Sequence, residues 1–192
     1  MNLKENDTIS EYDAVLLDAK GIFTKKVSDY GGIKSVAVMR TPSIIDQLYI
    51  KLKRIRTLQE KEYEGKEPEI KENKANEFLG ILNYCIIGIL IKQYDEKVFT
   101  FSKETLIVKY EEVVKEIKEL MLKKNSDCGE AWREMYQTSF VDLSLQKIFR
   151  AKSLYLLKEN TLLSEGLIAN FQDIANYSIF ALILISEKVH TA

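Results

Sequence analysis

An all-α chain of six helices, a tandem duplication of a three-helix unit with an approximate internal two-fold, is what the 192 residues predict. Three observations carry that expectation. Eight Gly and two Pro make ten turn-forming residues in 192, about 5% against roughly 12% in average usage, too few for a many-stranded sandwich or barrel. Apolar residues recur at helical spacing, as at Val113, Ile117, Leu120 and Met121, which sets one face of a helix against a core. The chain also repeats itself. Residues 12–31 align with residues 110–129 at a constant offset of 98, with eight of twenty positions identical. After a two-residue slip, residues 43–58 align with 139–154, keeping Asp46/Asp142, Lys51/Lys147 and Arg54/Arg150 in register. After a further slip of three, residues 72–87 align with 165–180, keeping a Glu, a Phe and the pair Asn83-Tyr84/Asn176-Tyr177. Three blocks in one order mean duplication. The units are placed at residues 1–97 and 98–192, packed together as one globular body.

Each element has a local reason. The first helices are expected over residues 10–26 and 102–124, ending at Asp-Tyr-Gly or Asp-Cys-Gly, where Gly31 or Gly129 supplies the permissive backbone of a tight turn. The second helices begin around Ser43 and Ser139, with Pro42 suited to a helix entrance, and run to about residues 61 and 159. The charged run over residues 62–73, holding Gly65 and Pro68, reads as a solvated loop. The third helices are expected over residues 74–93 and 164–188, and residues 95–101 link the units.

Composition narrows the function. Twenty-eight basic residues against 29 acidic give a net charge of −1, which argues against a general nucleic-acid binder. Cys85 and Cys128 lack metal-type spacing, and a lone His190 removes His-rich zinc sites and a Ser/His/Asp triad. Any metal here needs oxygen ligands. The polar, acidic start shows no apolar leader, and the most apolar stretches, residues 78–91 and 174–185, fall below the ~20 residues of a membrane span. The expectation is a cytoplasmic protein without a membrane partner.

Polar residues stand in unexpected places on the helices of the second unit. At about 100° per residue, Asp142, Gln146, Lys147 and Arg150 share an arc of about 140°, while Phe140, Val141, Leu145, Ile148 and Phe149 cover the other sides. That charged arc is expected to face an interior cleft. On the third helix Glu165, Asp173 and Asn176 fall within about 80° of one another, amid Leu167, Ile168, Phe171, Ile174 and Ile179. Polar groups so surrounded require partners. One reading is a buried ion-pair network, Asp142 with Arg150 or Asp173 with Lys147, that fixes the packing of the units. The other is a ligand site: carboxylates suited to Mg²⁺ beside Lys and Arg suited to phosphate oxygens. Trp132 either stacks on a base or closes a core, the commoner role of a single Trp. Cys85 reads as a core thiol. The basic run Lys51–Arg56 offers Lys51 and Arg54 to phosphate, while Leu52 and Ile55 face a core.

The combination Lys-Lys-x-x-Asp-Tyr-Gly, then Ser-x-x-Asp with Lys and Arg one and two turns on, then a helix bearing Asp-x-x-Asn-Tyr, resembles the nucleotide modification associated domain 1 family, long a domain of unknown function. The matching residues are Asp29, Tyr30, Gly31, Asp46, Lys51, Arg54, Asn83 and Tyr84, then Asp127, Gly129, Trp132, Asp142, Lys147, Arg150, Glu165, Asp173, Asn176 and Tyr177. The resemblance covers nearly the whole chain and implies a small all-α protein connected with nucleotide metabolism or modified bases. More loosely, the helices look like those of the all-α MazG-like nucleoside-triphosphate pyrophosphohydrolases, although their paired Glu-x-x-Glu is missing. Unit one has Gly80 where unit two has Asp173, and it lacks the Glu-Ala-Trp-Arg run of residues 130–133, so chemistry is expected in unit two.

The leading expectation is therefore a protein that binds a nucleotide or other phosphorylated small molecule, with Mg²⁺-dependent pyrophosphohydrolysis as its activity. In that scheme Glu165 and Asp173 hold metal, and Asp142 and Asn176 orient water or ligand. Lys147, Arg150, Lys51 and Arg54 grip phosphates, with Asp127, Trp132 and Tyr177 lining the ligand. The alternative is a non-catalytic helical assembly module, forming a homodimer, whose polar network is structural.

Overall fold

The computed structural model describes residues 3–29, 39–67, 73–156 and 161–192, with side chains for all of these except 3–6, 96, 99 and 161–165. Six α-helices are described, and no strand: α1 (Leu3–Asp29), α2 (Thr41–Tyr63), α3 (Lys74–Tyr94), α4 (Lys103–Cys128), α5 (Gln137–Leu156) and α6 (Thr161–Ser186). Local chemistry sets several of the ends. The Asn73 side chain accepts the Ala75 amide at 2.6 Å and the Ser102 hydroxyl accepts the Thr105 amide at 3.1 Å, capping α3 and α4. Pro42 and Ser43 sit in the first turn of α2, where the missing N–H of proline costs no helical bond. Gly129 ends α4 with φ +60 and gives its amide to the Asn125 carbonyl, as expected of a turn glycine. Its counterpart Gly31, and residues 68–72 of the charged run, lie outside the described residues, as does residue 159 at the expected end of α5. The expected linker is a 3₁₀ turn, Asp95–Thr100, pinned by the fully buried Val98.

The most apolar helices, α3 and α6, pack against each other at the centre. Helices α1 and α4 lie against both of them on one side, touching each other, while α2 covers α3 and α5 covers α6 on the other, where α2 and α5 also meet. Each layer is thus a pair of equivalent helices from the two repeats. The central pair approaches closely because Gly88 has no side chain: a Cβ there would stand 2.9 Å from the Phe171 ring and 3.2 Å from Ile44. The apolar stretches run longer than the sequence suggests. Helix α3 and residues Gly166–Ser186 of α6, 21 residues each, are long and apolar enough by length and composition to cross a membrane. Their apolarity already has an internal use, since 67% and 72% of the apolar windows are buried within the protein.

Candidate functional site

Several polar residues that the repeats share hold the repeats together. Asn83 on α3 accepts the Tyr110 hydroxyl of α4 at 2.9 Å and donates to the Ala19 carbonyl of α1 at 3.1 Å. Asn176 on α6 accepts the Tyr12 hydroxyl of α1 at 2.6 Å and donates to Gln172 within its own helix at 3.1 Å, with the Ile117 carbonyl of α4 at 3.5 Å. Ile117 is the repeat equivalent of Ala19, as Tyr110 is of Tyr12, so each buried amide reaches both first helices. Burial pushes the Tyr12 and Tyr110 phenols upward, which keeps both hydroxyls protonated as donors. On the outside, Lys20 pairs with Glu111, and its equivalent Lys118 pairs with Asp13 at 2.5 Å. Between α2 and α5, Lys152 meets Asp46 at 2.9 Å and Arg56 meets Asp142 at 3.7 Å, again equivalent contacts.

These pairs redirect several expectations. Asp142 does not face an interior cleft: it is 61% exposed at the α2–α5 seam, and Arg150 on the same helix is exposed and apart from it. Both lie on the expected arc, but that part of it turns to solvent and to the other repeat, and only Lys147 of the arc turns inward. Asn176 has both ends of its amide engaged by protein. Trp132 is 5% exposed and stacks on Phe180 with ring centres 4.4 Å apart, under the Arg133 guanidinium. It closes the core. Asp127 is exposed at the end of α4.

Asp173 and Lys147 do meet. The Lys147 ammonium is 2.7 Å from one Asp173 oxygen, and Lys124 of α4 bonds the other. Tyr177 stands one turn along, its phenol pushed up chiefly by burial, with Asp173 adding and Lys124 opposing. Asp173 is only 12% exposed, so this carboxylate lies shielded between two cations. Such a site does not suit a dication: its charge is already compensated, and among the described residues no group of three or more His, Cys, Asp or Glu converges. The Glu165 side chain lies outside the described residues.

An open cavity is in the other repeat. A cavity of about 410 Å³ lies between α1, α2 and α3, walled by Ile22, Phe23, Val27, Met39, Tyr84 and Ile87, with Lys26, Gln47, Lys51, Asn76 and Asn83 as its polar groups and Gly80 in its floor. Lys51 bonds Glu77 at 2.9 Å, and Arg54 faces the same buried carboxylate at 3.5 Å. The first repeat thus carries its acid one helical turn earlier than the second, Glu77 and Gly80 standing where the second has Asn170 and Asp173. In the second repeat the counterpart of Ile87 is Phe180, filled against Trp132. Lys26, Gln47, Glu77 and Asn76 were not expected at a site. The usable signal was that Lys26 and Lys124 are identical across the repeats, and that Gly80 marks room rather than only a lost carboxylate.

No curated protein and no solved structure was found to match the chain. The family described as nucleotide modification associated domain 1 matches twice, over residues 26–92 and 124–185. Each match starts at one of the equivalent lysines of the first helices and ends within a central helix, which agrees with the duplicated fold. With more than half of its length matched in two successive copies, the chain belongs to the nucleotide modification associated domain 1 family.

Proposed function

We propose that this protein binds a nucleotide or other phosphorylated small molecule in the first-repeat cavity. One observation carries the reading: a chamber of about 410 Å³ with mostly apolar walls counts the lysines Lys26 and Lys51 and the amides Gln47 and Asn76 among the residues that line it. Small-molecule sites of roughly 300–1,000 Å³ have this make-up, apolar walls with few polar groups that fix orientation. The ring-shaped part of a ligand would meet Phe23, Tyr84 and Ile87, and phosphate would meet the lysines. Mg²⁺, if used, would enter on the ligand's phosphates, as this ion commonly does, rather than in a dedicated protein cage. Pyrophosphohydrolysis, suggested by the looser likeness to MazG-like enzymes, is the activity to assay alongside binding.

The test is a panel of nucleoside mono-, di- and triphosphates, with and without Mg²⁺, read by melting temperature and by phosphate or pyrophosphate release. A ligand at 100 times its Kd adds about 2.7 kcal/mol, a rise of roughly 5–10 °C for a chain of this size. Lys51→Ala is expected to abolish that rise. No stabilisation and no turnover across the panel would sink the proposal.

A second reading has its own support, the equivalent Tyr–Asn, Lys–acid and Asp–cation pairs across the internal two-fold. On that reading the conserved chemistry within the chain is assembly alone, and neither metal nor nucleotide changes melting.

A further inference from the structure

We propose that the first-repeat cavity takes its ligand by an anionic oxygen seated between Lys26 and Lys51, in the place that Asp173 fills from within the second repeat. The inference rests on the cavity reading above and adds which group of the ligand sits where, and which residue decides that only one repeat is receptive.

The repeats supply the comparison. Lys26 and Lys51 are equivalent to Lys124 and Lys147, and Gly80 is equivalent to Asp173. In the second repeat one Asp173 oxygen takes Lys147 and the other takes Lys124, so the carboxylate bridges the two ammonium groups. It acts as a built-in anion. In the first repeat the equivalent two lysines line one cavity, and Gly80, at the position of Asp173, lines it too and has no side chain. A Cβ on Gly80 would stand 3.0 Å from both Cε and Nζ of Lys51, so the missing carboxylate would reach into the space beside that ammonium.

Charge points the same way. Lys51 and Arg54 share Glu77, while Lys26 makes no ion pair among the described residues. Lys26 is therefore a cation beside the chamber that no described carboxylate answers. A cationic excess beside an apolar chamber favours an anion, and hydrogen bonds from ammonium groups to phosphate or carboxylate oxygens are about twice as strong as neutral ones. The second repeat has already satisfied its lysines from within. Gly80 is thus the specificity-determining position: glycine leaves the lysines to an outside anion, aspartate answers them internally.

The experiment uses the full chain and inorganic pyrophosphate as probe, with lysine reactivity toward an amine-acylating reagent mapped by mass spectrometry and affinity measured by calorimetry. Pyrophosphate is expected to shield Lys26 and Lys51 but not Lys124 and Lys147. Gly80→Asp is expected to weaken pyrophosphate binding about tenfold or more, the scale of one lost charge-assisted contact, and Gly80→Asn distinctly less. Both variants replace a glycine inside a helix, and the Cβ they share meets the far end of the flexible Lys51 side chain, so both are expected to melt no lower than the parent chain. Equal weakening by Asp and Asn, or binding unchanged in Gly80→Asp, overturns the inference. So does pyrophosphate that leaves Lys26 and Lys51 reactive in the parent chain. If a nucleotide binds without shielding these lysines, the anion seat falls while the nucleotide reading stands. If pyrophosphate shields both lysines but no nucleotide stabilises the chain, the anion seat stands and the nucleotide reading falls.

Discussion

Asn83 and Asn176 show how one side chain type answers the problem posed by polarity in an apolar helix: a neutral amide offers a donor and an acceptor, and each repeat spends both on protein. Removing the partner costs more than the bond itself, because a buried acceptor is left without a donor. Tyr12→Phe and Tyr110→Phe are each expected to lower stability by about 1–3 kcal/mol, with similar size because their contacts are equivalent. Urea denaturation measures this, and a loss in one variant but not the other would contradict the two-fold role. Asp142→Ala, at a site 61% exposed, is expected to cost no more than about 0.5 kcal/mol and to leave nucleotide binding unchanged. His190 makes a different prediction. Its Nε2–H donates to the Met135 carbonyl, and its Nδ1 is buried with no hydrogen-bond partner among the described residues. A second proton would sit on that nitrogen, so burial chiefly, with nearby Lys74 adding to it, holds the imidazole below its ordinary value, against the opposing Met135 bond. A depressed folded value means that the unfolded chain binds the proton more readily: the contribution is present above about pH 6.5 and is lost as pH falls through the folded value. Melting curves from about pH 7.5 down to 5 are expected to fall less steeply for His190→Asn than for the parent chain. Parallel curves would show that His190 does not titrate in this window.

At the scale of the element, helix existence and order were legible because apolar periodicity and the scarcity of glycine and proline act locally. Ser102, Gly129 and Pro42 sit at or beside the ends that their chemistry favours. The helical wheel also grouped Asp142 with Arg150 correctly. What a wheel lacks is the identity of the neighbour, and here the neighbour of Asp142 and Arg150 is solvent and the other repeat, while Lys147 on the same arc meets Asp173. The cavity was illegible for a related reason: it arises from an absence, Gly80, whose effect depends on the reach of Lys51 from α2. A second glycine acts between elements. Gly88 permits the approach of α3 to Phe171 of α6 and Ile44 of α2, with a prospective Cβ at 2.9 and 3.2 Å. An alanine is favoured by helix propensity by about 1 kcal/mol. Against that, overpacking a rigid aromatic contact costs typically 1–3 kcal/mol, so Gly88→Ala is expected to destabilise on balance. Gly21→Ala is the internal control, since nothing lies within 4 Å of a Cβ there, and it is expected to stabilise. Chemical denaturation of the two variants that moved in the same direction would refute this account of the central packing.

For the whole molecule, the decisive fact is that the helix contacts run across the boundary between the sequence repeats. Each first helix lies against the third helices of both repeats, and the central packing joins α3 of one repeat to α6 of the other. A chain cut between the repeats would expose the buried face of α3, including Ile81, Cys85, Ile86 and Ile89, and would leave Asn83 without its Tyr110 donor. Small domains already bury a modest fraction of their surface, and losing a central interface removes the apolar contribution that offsets chain entropy. Residues 1–97 alone are therefore expected to show reduced far-UV helicity and no cooperative monomeric melting, or to self-associate so that a true two-fold replaces the internal one. Mixing the two halves is expected to restore a one-to-one complex with the helicity of the intact chain, because the equivalent Tyr–Asn, Lys–acid and Asp–cation pairs run between them. Circular dichroism and sedimentation of each half and of the mixture distinguish these outcomes. A half that melts cooperatively as a monomer would mean that the duplication joined two self-sufficient domains, and the cross-repeat Tyr–Asn and Lys–acid pairs would then be a seam between folded bodies rather than the interior of one.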